Sequence, residues 1–205
     1  MKYITNDDTI IFDPSFDEEL DPELLTKYKR IIFTNYILDH KLFDAYINNK
    51  FKGLKVDVSK FNHPVNELPH SITHLTFGFS FNLSVDNLVH GITHLTFGKH
   101  FNQLVDNLPS SITHLTFDFD FNQSLNNLPP DLEFITLSIK YDLQILNIPP
   151  RLQVINCFNK YKYINDLNNL TSLTGLKVII FWKNWFNYLI YVFFLLSKYP
   201  IPNSL

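Results

Sequence analysis

One twenty-residue sentence, written three times, constrains this chain more than any other feature. Residues 68–87 read LPHSITHLTFGFSFNLSVDN, residues 88–107 read LVHGITHLTFGKHFNQLVDN and residues 108–127 read LPSSITHLTFDFDFNQSLNN. A unit this short cannot bury its own apolar face. Copies at a fixed period must therefore stack, each covering its neighbour, and the stack is a solenoid.

The repeat reduces to a template: apolar residues spaced as I-x-x-L-x-F, then a Phe-Asn pair beginning four residues after the last Phe. Ile10-Ile11-Phe12 with Phe16, and Ile31-Ile32-Phe33 with Ile37, fit it. Phe51, Leu54 and Val56, with Phe61-Asn62, fit it again. The last apolar position marks each coil: Phe12, Phe33, Val56, Phe77, Phe97, Phe117, Leu137, Cys157 and Val178. This spacing predicts about nine coils. Alternation across Leu75-Thr76-Phe77 predicts one short, half-buried strand per coil. Leu68-Pro69 predicts a turn ahead of it, because proline lacks a ladder donor. Gly78 and Gly98 permit a bend behind it, and Phe81, Val85 and Leu88 supply the return path. Short helical turns are expected in DPELLTKYK and HKLFDAYINNK, between successive markers.

Stacking turns equal steps along the chain into rows about 4.8 Å apart. His74, His94 and His114 form one row, and Thr76, Thr96 and Thr116 another, continued by Thr136. Thr73, Thr93 and Thr113 stand beside them. The imidazoles are expected to be neutral and to stack beside the threonines. The sharper readings are a pH switch or a metal site, and the latter needs converging rings and a fourth ligand. No carboxylate row supplies that ligand, so no metal or cofactor is expected. Asn62, Asn82, Asn102 and Asn122 form a row expected to satisfy turn backbone groups, as do Asn87, Asn107, Asn127 and Asn147. Cys157 takes a marker position and is expected to be a small buried hydrophobe.

Composition removes other classes. The net charge of −3 and the lack of a basic block interleaved with aromatics leave a nucleic-acid groove without electrostatic basis. A single cysteine excludes an intramolecular disulfide and a multi-cysteine zinc site. MKYITNDDTI has no secretory h-region, and no G-x-x-x-x-G-K, H-E-x-x-H or G-x-S-x-G motif occurs. An enzyme is not expected, and a cytoplasmic monomer is. Residues 182–205 are predicted to be an apolar helix and tail, in which Trp185 to Leu196, WFNYLIYVFFLL, caps the stack. Its rival role is a membrane anchor, although twelve residues fall short of the roughly 20 that span a bilayer.

Ile72-x-x-Leu75-x-Phe77 resembles the strand of leucine-rich repeats. More specifically, LPSSITHLTF with FNQ and VDNLP resembles the FNIP repeat family, whose members are described mostly from amoebae and their giant viruses. The resemblance is close over 61–137 and recognisable over 10–60 and 138–180. It implies an α/β repeat solenoid over residues 1–181, leucine-rich-repeat-like and right-handed, with parallel strands and little convex helix. It also implies a non-catalytic protein-interaction role and no assigned catalysis. Some relatives carry an N-terminal F-box that recruits ubiquitin-ligase machinery. Repeat spacing that begins by Ile10 departs from that pattern and weakens a ubiquitin-adaptor role. The function expected is binding of a protein partner through the strand face, at His74, His94, His114, Thr76, Thr96 and Thr116. In a virus, the setting would be the host cytoplasm.

Overall fold

The computed structural model describes residues 2–35, 58–167 and 176–181. Nine strands form one sheet in chain order: β1 (Tyr3–Asn6), β2 (Thr9–Phe12), β3 (Arg30–Phe33), β4 (His74–Thr76), β5 (His94–Thr96), β6 (His114–Thr116), β7 (Phe134–Thr136), β8 (Val154–Phe158) and β9 (Lys177–Phe181). From β2 onward every neighbouring pair is parallel. Eight parallel strands make a β-solenoid of about seven turns with little helix. The helical turn expected in DPELLTKYK is α1 (Pro22–Leu25), where the Asp21 side chain accepts from Glu23 N–H at 2.9 Å. HKLFDAYINNK and the expected C-terminal helix lie outside the described residues.

The alternation of the repeat explains why each strand forms. In β5, His94 and Thr96 point outward and Leu95 is 1% exposed. The template residues Ile72, Leu75, Phe77, Phe81, Val85 and Leu88 are all buried. The Pro turn appears as predicted: Ile72 N–H donates to Pro69 O at 3.1 Å, and Ile112 N–H to Pro109 O at 3.2 Å.

Two rows of rings run through the interior. Phe12, Phe33, Phe77, Phe97 and Phe117 form the first, with neighbouring centroids 5.1–6.0 Å apart. Phe16, Phe61, Phe81, Phe101, Phe121, Tyr141 and Tyr161 form the second, at 5.8–6.2 Å. Within a coil the rows touch face to face, 3.7 Å apart for Phe77–Phe81 and 3.6 Å for Phe97–Phe101. Burying one such ring stabilises the fold by about 1.5–3 kcal/mol, and each aromatic pair adds roughly 0.5–1.5 kcal/mol.

The structure corrects the spacing arithmetic at three places. First, β3 pairs directly with β4, Ile31 opposite Leu75 and Ile32 opposite Thr76. Val56, expected to mark a coil between them, lies outside the described residues. Phe61 stacks on Phe33 at 3.9 Å, and Ile37, the residue that the template pairs with Phe33, lies outside the described residues. The stretch 36–57 lies outside the described residues. Asn35 holds its ends, because its Oδ1 accepts from both Ser59 N–H and Phe79 N–H at 3.0 Å. Second, Val178 pairs with Ile155, and Ile180 is the residue opposite Cys157, so the last marker moves two residues along. Third, β1 runs antiparallel to β2 through a turn at Asp7, whose φ is 45°. This hairpin covers the first parallel edge, a device the repeat template does not contain.

Gly78 and Gly98 serve close approach. A Cβ on Gly98 would lie 1.9 Å from Gly78 O, and one on Gly78 would lie 2.2 Å from Ser59 Cβ. Successive coils meet backbone to backbone here.

Candidate functional site

Register places all six predicted face residues together. His74 lies opposite His94, which lies opposite His114, and Thr76, Thr96 and Thr116 pair in the same way. Because they flank an inward leucine on each strand, both rows lie on the solvent side of one sheet.

The imidazoles form a continuous stack. Centroids of His74–His94 and His94–His114 are 4.1 Å apart, with planes within 12° and 11°. Phe134 continues the stack beyond His114 at 4.5 Å. Every ring is anchored by the threonine before it: Thr73, Thr93 and Thr113 Oγ1 lie 2.8, 2.9 and 2.9 Å from the adjacent Nδ1. These hydroxyls donate in turn to a carbonyl of the preceding coil, Lys29 O at 3.3 Å, Thr73 O at 3.1 Å and Thr93 O at 3.2 Å.

Burial pushes His74 down to about 4, helped by the neighbouring charges of His94 and Arg30 and opposed by Asp8. His74 is therefore neutral at pH 7. The second row ends in a side-chain bond, Asn156 Nδ2–H to Thr136 Oγ1 at 3.0 Å. Between Arg30 and Lys177 the two rows carry no Asp, Glu, Lys or Arg, only imidazole, hydroxyl, amide and apolar groups, while Glu133 stands on the flanking row. Among the described residues, no three His, Cys, Asp or Glu side chains are arranged to hold a metal ion. Stacked rings point their nitrogens side by side, where a metal needs them to converge.

The asparagine rows are structural. Asn62, Asn82 and Asn102 Oδ1 accept the backbone N–H of Asn82, Asn102 and Asn122, at 2.9, 2.8 and 2.8 Å. Asn107 and Asn127 Nδ2 donate to Asp86 and Asp106 of the coil before, at 3.3 and 3.2 Å. Cys157 is fully buried, which pushes its thiol up to about 11 and leaves it a packing residue.

Sequence reasoning missed a ridge beside the sheet. Lys99 Nζ stands 4.7 Å from the Phe79 ring and 5.6 Å from Phe119, and Lys140 Nζ stands 4.8 Å from Phe119. Asp120 ties this ridge, 2.6 Å from both Lys140 Nζ and His100 Nδ1. The Lys140 hydrogen bond, then that of His100, holds its carboxyl below the usual range. The signal was present, since these residues recur at the same twenty-residue step, but their types differ from coil to coil.

Comparison with known proteins follows the geometry. The FNIP repeat profile matches residues 61–100, 83–120 and 101–140, so the stretch 61–140 is similar to FNIP repeats. A solved structure described as "CroV588 a novel circular LRR protein" is similar, with 24% identity and a TM-score of 0.47. The similarity covers 78% of this chain and 29% of that one, so the chain spans under a third of its length. No curated protein matches.

Proposed function

We propose that the FNIP-like repeats of residues 61–140 make this chain a non-catalytic interaction module, one that binds a protein partner through the strand face carrying His74, His94, His114, Thr76, Thr96 and Thr116. Repeat solenoids of this kind are typical protein-interaction modules, and FNIP and leucine-rich repeats are generally non-enzymatic scaffolds. The observation that carries the reading is the anchored stack itself. Three identical imidazoles are held in register by threonine hydroxyls before any partner arrives, so docking costs little side-chain entropy. The His and Thr rows carry no Asp, Glu, Lys or Arg, so contact avoids the larger cost of burying a charge.

Proximity labelling with the full-length chain tests this. Wild type and a His94→Glu, Thr96→Glu double variant are compared in cells, with circular dichroism to show that both are folded. The proposal expects the variant to lose the neighbours wild type labels, and an unchanged set would overturn it. A membrane-associated reading has its basis in residues 182–196, outside the described region. Among the described residues, no helix is long and apolar enough to cross a membrane. The ubiquitin-adaptor reading has no described residue in its favour.

A further inference from the structure

We propose that the outer edge of β1 pairs antiparallel with β1 of a second copy, joining two solenoids into one continuous sheet about a two-fold axis at Ile4. It replaces the monomer expected from the sequence with a pair of chains. The pairing goes beyond the strand-face reading and does not depend on it.

Register fixes which groups this edge offers. β1 stands at the end of the sheet and pairs with β2 alone among the described residues. Lys2 O accepts from Asp13 N–H at 2.8 Å, so Lys2, Ile4 and Asn6 turn their backbone groups toward β2. The N–H and C=O of Tyr3 and Thr5 therefore point away from the sheet, in the row that recruits another strand. YITN carries neither proline nor a charged side chain, two of the devices that keep edges apart. The edge is also complementary to itself. Tyr3 and Thr5 lie symmetrically about Ile4, so an axis there sets Tyr3 of each copy opposite Thr5 of the other, and each pair exchanges both N–H···O bonds. The side chains agree with that register. Tyr3 packs on Phe12 toward the core, while Ile4 lies opposite Ile11 on the other face, and Ile11 opposite Ile32. The axis brings Ile4 against its own copy, and the half-buried Ile4, Ile11 and Ile32 of both chains become one apolar row. At the strand ends Lys2 stands opposite Asn6 of the second copy and beside its exposed Asp7, opposite in charge.

Sedimentation velocity of the full-length chain, from micromolar to millimolar concentration, tests the pairing, with circular dichroism on every variant. The expected result is a shift from one chain to two as concentration rises, and its loss in Thr5→Pro and in Ile4→Lys. Proline at position 5 removes a donor that faces away from β2, where an edge strand tolerates it. Lysine at position 4 sets like charges opposite each other across the axis. Disulfide trapping reads the register itself. Ile4→Cys is expected to link to its own copy on mild oxidation, because residues so paired lie about 4.5 Å apart, within disulfide reach. Asn6→Cys is expected not to link, being roughly 14 Å from its copy along the strands. The native Cys157 is fully buried and stays out of the reaction. The cysteine comparison keeps the test decisive if Thr5→Pro disturbs the hairpin. One chain at every concentration, a dimer unchanged by Ile4→Lys, or equal linking at the two cysteines would overturn the proposal.

Discussion

The sheet of this solenoid has two faces made by the same period, and they differ in what their rows do. Inside, Phe77, Phe97 and Phe117 stack 5.5–5.7 Å apart and are at most 2% exposed. Outside, His74, His94 and His114 stack at 4.1 Å, half-buried, with threonine anchors. Periodicity alone makes rows on both sides, so a row is not by itself evidence of function. The inner rows remove apolar area from water and hold the coils together. The outer rows are half-buried and are held by threonine hydroxyls.

Perturbing the inner side should have the larger effect. Phe117→Ala removes a ring stacked on Phe97 and Phe121, and should cost about 3–5 kcal/mol by chemical denaturation. Gly98→Ala drives a methyl to within 1.9 Å of Gly78 O, a backbone atom that moves only with its coil. A loss of roughly 1–3 kcal/mol is expected, seen as a lower thermal midpoint. Asn35→Ala leaves Ser59 N–H and Phe79 N–H without their acceptor and should cost about 1–3 kcal/mol. Limited proteolysis would then show earlier cutting in the stretch between β3 and β4. If the first two substitutions proved as mild as changes on the outer face, the contrast between faces would break.

Much of this was legible in the sequence, and the exceptions have physical reasons. The six face residues and the template core are where the period puts them, because identical units have one way to stack. Val56, read as a coil marker from its spacing, lies outside the described residues. The ring that stacks on Phe33 is Phe61, which the spacing had assigned to the coil marked by Val56. Val178 was misplaced because K-V-I-I-F offers several apolar residues to one rung. β1 was missed because YITN is short and antiparallel, and pairs through a turn rather than through the period. The Lys99–Phe119–Lys140 ridge was missed because its residues alternate in type while keeping their place.

The central claim is that alternate residues of one strand do opposite work, and β5 tests it within three residues. Chemical denaturation of Leu95→Ala, His94→Ala and Thr96→Ala, each in the full-length chain, is the measurement. The account predicts a loss of about 2–5 kcal/mol for Leu95→Ala and at most ~1 kcal/mol for each of the others. Comparable losses at all three positions would contradict it, because the His and Thr rows would then be part of what holds the solenoid together.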